Sequence, residues 1–166
     1  MPVSRAFPDA VTTVDTAAQY ELGTEWPMDA GEAEDLDSTV VGPQTWIYVE
    51  NDVAAALAWV EGNVIAFKLG QADYKGIQAP INSAMLSLIG VAQHAVAAGS
   101  FGWILRRGVG EVLAGTGGIT VNLPLTCSST GGELGKAING SATESCFARA
   151  TEEVLATALA TCYIRL

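Results

Sequence analysis

His94 is the chain's single histidine and the first residue to test for catalysis, because an imidazole titrates closest to neutral pH. As a general base it would need a nucleophile and an orienting acid converging on it. No Gly-x-Ser-x-Gly elbow and no Cys–His signature can be read. It stands in the apolar run Val91-Ala92-Gln93-His94-Ala95-Val96, where a strand histidine satisfied by a hydrogen bond is the simpler reading. Cys127, Cys146 and Cys162 are widely spaced and odd in number, which fits neither a disulfide framework nor paired zinc ligands. They read as small buried hydrophobes. Gly108-x-Gly110 and Gly115-x-Gly117-Gly118 lack the Gly-x-Gly-x-x-Gly order and the Gly-Lys-Ser/Thr of nucleotide loops, so they read as turn glycines. Glu32-Ala33-Glu34-Asp35-Leu36-Asp37 departs from the EF-hand order and reads as a solvated acidic loop, with a weak cation site as the lesser alternative. Glu152-Glu153 reads as a hairpin tip, and Asn139-Gly140-Ser141 as a chance match to a glycosylation acceptor. No catalytic residue, no metal site and no cofactor is expected, and so no enzyme.

The composition agrees with that reading. The chain has 166 residues, 49% hydrophobic and 16% charged, which excludes global disorder and sets a prior of one compact domain with an appended arm. Its net charge of −10 argues against direct nucleic-acid binding, which needs clustered Lys and Arg to displace counterions. Residues 1–10 contain Arg5, Asp9 and two prolines and no apolar core of a secretory signal. The uncharged stretch from Gly76 to Leu105 is broken by polar residues and Pro80, so no membrane partner is expected.

The charges are unevenly placed. Residues 1–50 hold ten acids against Arg5 alone, a net −9, and the remainder carries −1. The first forty residues lack sustained periodicity, so residues 1–43 read as an extended acidic N-terminal arm rather than a domain. Tyr20, Leu22, Trp26, Pro27 and Met28 give that arm apolar anchors, to dock on its own barrel or on a neighbour. Trp26 is expected to bury itself on a neighbour and to matter for assembly more than for folding.

From Gln44 onward the pattern becomes short strands between turns. Thr45–Val49, Asn63–Leu69, Leu86–Val96, Phe101–Arg107 continuing through Glu111–Ala114, Ile119–Thr126, a short piece near Leu134–Ala137, Ser145–Thr151 and Thr157–Leu166 all read as strands. Asn51 or Asp52 caps a short helix through Ala54–Ala58. Phe101, Trp103 and Leu105 fall on one face of their strand, and Gly102, Ile104 and Arg106 on the other. The expected fold is mainly β, a small β-barrel or β-sandwich over residues 44–166, with the N-terminal arm and one short helix. Arg106-Arg107 sits on a strand in an acidic chain. One arginine of the pair faces outward and the other must snorkel or find a carboxylate, either on the acidic arm of this or a neighbouring subunit or locally at the surface, worth about 0–1 kcal/mol.

Several segments together resemble the decoration, or cement, proteins of tailed-bacteriophage heads. They are Tyr20-Glu-Leu-Gly-Thr24, Trp46-Ile-Tyr-Val49, Ala54–Ala58, Gly90-Val-Ala92, Ala98-Gly99-Ser-Phe-Gly102-Trp103 and Arg107-Gly108. The resemblance implies a structural virion protein on the outer capsid surface, often a homotrimer, whose partner is the major capsid protein and which clamps adjacent capsid subunits. Tyr20, Leu22, Trp26, Pro27, Met28, Arg106 and Arg107 are then the expected interface. The rivals are a phage fibre or spike and a carbohydrate-binding module presenting Trp26, Trp46, Trp59 or Trp103 as an exposed platform. A hydrolase ranks third.

Overall fold

The computed structural model describes residues 11–36, 42–55, 57–68, 73–80, 87–127, 131–136 and 147–166. The expectations for residues 1–10, Cys146 and Asn139-Gly140-Ser141 lie outside them. The architecture is mainly β, as expected, and its centre is a closed barrel of five strands.

The barrel forms around β3 (Gln44–Asn51) and the long β7 (Phe101–Leu113), which pair antiparallel. From β3 the ring continues to β5 (Lys75–Gln78), the one parallel pairing in it, then to β4 (Val64–Phe67), β6 (Leu88–Val91) and back to β7. Inward positions of these strands supply Ile47, Val49, Ile65, Ile89 and Ile104, with Trp59 fully buried among them. So few strands leave little room for an indole. Gly76 makes that room: a Cβ there would lie 2.8 Å from Trp59 Cζ2 and 2.5 Å from Ile65 Cγ2.

A second sheet grows from the far half of β7 through β11 (Leu159–Arg165), β10 (Ala148–Ala150), β8 (Pro124–Cys127) and β9 (Leu134–Lys136). Its inner face, with Val112, Ala160, Cys162, Ile164 and Leu125, packs into a larger core with Val64, Ala66, Val91 and Leu105 from the barrel's outside. One strand serves both bodies because it slips register. Thr45 pairs with Arg107 and Trp46 with Leu105, leaving Arg106 as the extra residue of a bulge. Beyond it, Gly110 lies on the side of Leu105, 2.3 Å from its Cδ2 when given a Cβ. The expected alternation therefore holds to Leu105 and changes phase at Arg106.

The acidic N-terminal segment is built into this frame. β1 (Val14–Asp15) pairs with the start of β7, and β2 (Glu25–Met28) extends the sheet as an edge strand beside β3. Proline suits that edge, since it has no N–H to offer the ladder. The stretch read as a solvated acidic loop is in part a helix, α1 (Ala30–Leu36). Asp29 Oδ1 accepts the Glu32 N–H at 2.9 Å while Glu32 Oε2 accepts the Asp29 N–H at 3.1 Å, a reciprocal capping box.

Other expectations need correction. The Ala54–Ala58 helix is only a 3-10 turn over Val53–Ala55, although Asp52 does cap it, its Oδ1 accepting the Ala54 N–H at 2.6 Å. Of the long apolar strand expected at Leu86–Val96, whose Leu86 lies outside the described residues, β6 takes Leu88–Val91. There the chain bends, and the Gln93 side-chain amide takes over the pairing: its Oε1 accepts the Glu111 N–H at 2.8 Å and its Nε2 donates to the Glu111 carbonyl at 2.9 Å. Ile119–Thr126 is interrupted by a turn at Asn122, whose φ is 64°, so Ile119 bridges Val154 while β8 starts at Pro124.

Candidate interaction surface

The seven residues expected at an interface divide into three groups. Tyr20, Leu22, Trp26 and Met28 turn inward, Arg106 is paired within the chain, and Pro27 and Arg107 remain exposed.

The inward group closes over an aromatic cluster. The Tyr20 ring stands edge-on to Tyr48 at 5.2 Å and to Trp103 at 5.3 Å. Trp26, opposite Trp46 in the β2–β3 pairing, meets Trp103 edge-on at 5.9 Å. Met28 is 3% exposed. The segment thus docks on its own barrel, and Trp26 packs on this chain where a neighbour's surface was expected. The physical reason is the ladder itself: pairing with β3 puts Trp26 and Met28 on the core side and Glu25 and Pro27 on the outer side. Polar bonds reinforce the docking. The Tyr48 hydroxyl donates to Asp15 Oδ2 at 2.6 Å and accepts the Gln19 N–H at 3.2 Å. Burial, then the Asp15 contact, pushes the Tyr48 phenol well above its ordinary range.

The outer face is organised in cross-strand rows. The first runs Pro27, Thr45, Arg107, Arg165 across β2, β3, β7 and β11. The second runs Val109, Tyr163, Arg149, Pro124 across β7, β11, β10 and β8. Arg107, Arg149 and Arg165 are all exposed, and Tyr163 is 44% exposed between them. Arg106 pairs with Glu25 across β3, so the acidic N-terminal segment of the same chain satisfies one member of the double arginine. Sequence reading picked out Arg107 and Pro27 but missed Arg149, Arg165 and Tyr163. Cys162, Ile164 and Leu166 alternate with Thr161, Tyr163 and Arg165 in the sequence, but only the strand order brings that outward set beside Arg107.

The residues first tested for chemistry are not assembled for it. His94 lies in the bend after β6, not on a strand, and neither ring nitrogen has a hydrogen-bond partner, which corrects the expectation of a satisfied histidine. Burial lowers its pKa, and its Nε2 lies 3.4 Å from where a Gly102 Cβ would sit. Cys127 and Cys162 are buried, and burial, then the Glu111 and Glu152 charges, pushes the Cys162 thiol up to about 12. Among the described residues no three His, Cys, Asp or Glu side chains group to hold a metal ion, and no helix is long and apolar enough to cross a membrane. Trp46, Trp59 and Trp103 are buried, at 4%, 0% and 2% exposure, so none of these three presents the flat platform of the rival carbohydrate-binding reading.

A solved structure from a phage head shares this architecture. It is the crystal structure of the head fiber gp8.5 N base in bacteriophage phi29, superimposing with a TM-score of 0.54 over 73% of this chain and 93% of that chain, at 19% identity. The likeness is one of fold. No protein family and no curated protein matches the chain in sequence.

Proposed function

We propose that the chain is a structural protein of a tailed-phage head, bound to the outside of the shell, where it cements adjacent major capsid subunits as a homotrimer and performs no catalysis. The observation that carries this reading is the correspondence with nearly the whole of a phage head fiber base, 93% of that chain. The resemblance of Trp46–Val49, Ala98–Trp103 and Arg107-Gly108 to phage cement proteins was drawn from sequence alone and points the same way. The chemistry agrees: the lone histidine is unpartnered and the described thiols are buried.

A second reading has its own support. The matching structure is the base of a head fiber, and on this reading the chain would hold a projecting fibre in place of clamping the shell. The two readings separate in one experiment. Virions with and without the chain are imaged by electron microscopy and then heated while DNA release is followed. A cement protein leaves its density between capsid subunits, and its loss lowers the release temperature. A fibre base leaves density below a projection, and its loss leaves that temperature unchanged. Density absent from the head in both preparations would defeat both readings.

A further inference from the structure

We infer that the outward face of β7, β11 and β10 is the docking surface for an acidic protein partner, whose carboxylates enter among Arg107, Arg165 and Arg149 around Tyr163. This rests on the head-associated reading and names the part of the chain that meets the shell. The chain has five arginines, and these three are exposed on one sheet face, while a fourth, Arg106, stands at its border. Arg107 and Arg165 are direct cross-strand partners, a juxtaposition of like charges that destabilises an antiparallel pair. The other cations with ion pairs are neutralised within the fold: Lys68 by Asp52, Lys75 by Glu50 and Arg106 by Glu25. Among the described residues Arg107, Arg149 and Arg165 have no carboxylate partner. Of the acids near this face, Glu111 accepts the Thr161 hydroxyl at 3.2 Å and Glu152 the Thr161 N–H at 2.7 Å, both toward the far end from Arg107, while Glu25 is taken by Arg106.

The residue types specify the partner's chemistry. Guanidinium forks bind carboxylates bidentately, and Arg with Tyr is the pairing enriched at protein interfaces, where lysine is depleted. A nucleic acid is the less suitable occupant. A chain of net charge −10 repels an extended polyanion along its whole length, whereas a compact carboxylate patch is met only at contact range, within a Debye length of about 8 Å. Val109 and Pro124, in the same row as Tyr163 and Arg149, provide an apolar floor that would be desolvated on docking.

The test uses the full chain and phage heads assembled without it, emptied of DNA, in a sedimentation binding assay. The R107E/R149E/R165E variant should bind at least about 30-fold more weakly than the unaltered chain, the scale of losing an interface anchor. R107K/R149K/R165K should fall between the two, because charge is kept and the fork lost. Raising salt from about 50 to about 500 mM should weaken the unaltered chain and leave the glutamate variant little changed. Thermal melts of the variants guard against misfolding, and the single R149E substitution on the short strand β10 repeats the test if the triple variant fails to fold. Equal binding by the folded variants would overturn this surface while the head-associated reading stands. No binding of the unaltered chain to heads would overturn both, as would arginine-dependent binding to a double-stranded DNA fragment in place of the emptied heads.

Discussion

Arg106 and Glu25 form an ion pair that spans β3, joining the bulge of β7 to the edge strand β2. The contact is partly exposed on both sides, so its own worth is modest, about 0–1 kcal/mol. Its meaning is positional. The bulge that lets β7 pass from barrel to second sheet also aims Arg106 at the acidic N-terminal segment and ties that segment to the barrel.

The first expectation follows from that segment. Trp26→Ala removes a half-buried ring from the Trp103 contact and should cost about 2–3 kcal/mol, somewhat below the range for fully buried tryptophan. Urea denaturation measures it. A midpoint unchanged from the unaltered protein would mean that β2 contributes nothing to the fold.

Gly76→Ala is expected to be disruptive out of proportion to one methyl group. The added carbon meets Ile65 and Trp59 inside a closed ring that cannot splay, and overpacking of this kind costs about 1–3 kcal/mol. A fall in melting temperature, with near-ultraviolet circular dichroism reporting a displaced indole, would be the observed signature. Gly117→Ala, where a Cβ meets nothing within 4 Å, is the control and should melt with the unaltered protein.

Tyr48→Phe breaks the bond to Asp15 and leaves the Gln19 N–H without that acceptor, for a loss of about 1.5–3 kcal/mol. The phenol's raised pKa also fixes a pH dependence. Below the unfolded tyrosine value of about 10 both states keep the proton and stability is intact. As pH rises past that value the unfolded chain ionises while the folded one resists, so stability is lost. Denaturation midpoints of the unaltered protein should therefore fall more steeply above about pH 10 than those of Tyr48→Phe.

His94 produces the opposite slope. Its folded pKa is depressed by burial, so stability is intact above the unfolded value of about 6.5 and is lost as pH falls below it, where the unfolded chain takes up the proton first. Replacing His94 by Gln should flatten stability between about pH 6.5 and 5, above the range where carboxylates titrate. An unchanged slope would show that the imidazole is solvated in the folded state.

Legibility in the sequence tracked the strength of the local pattern. β3, β7 and β11 are each seven or more residues long, β3 rich in β-branched and aromatic residues and β11 strictly alternating, and each was readable near its true bounds. β5 was not, because Lys75-Gly-Ile-Gln78 offers one large apolar residue, and its glycine is there to admit Trp59 from elsewhere in the chain. α1 carried a readable signal, Asp29 three residues before Glu32, that was masked by the run of acids. The docking place of Trp26 was hidden for a different reason. Composition marked Trp26 as an anchor, but which surface it anchors to depends on β2 pairing with β3, and Pro27 argued against any strand there. The arginine face was invisible for the same cause: its members are 42 and 16 positions apart along the chain, from Arg107 to Arg149 and from Arg149 to Arg165, and only strand order gathers them.

The edge strand β2 has one more consequence, for colloidal behaviour. An open sheet edge is a template on which a second chain can add a strand, and crowded β proteins coagulate by that route. Here the rim is four residues long and carries a charge at Glu25 and a proline at position 27 that offers no amide hydrogen. An edge so built does not zip onto a second copy, which on this side of the molecule leaves recognition to side chains on the faces.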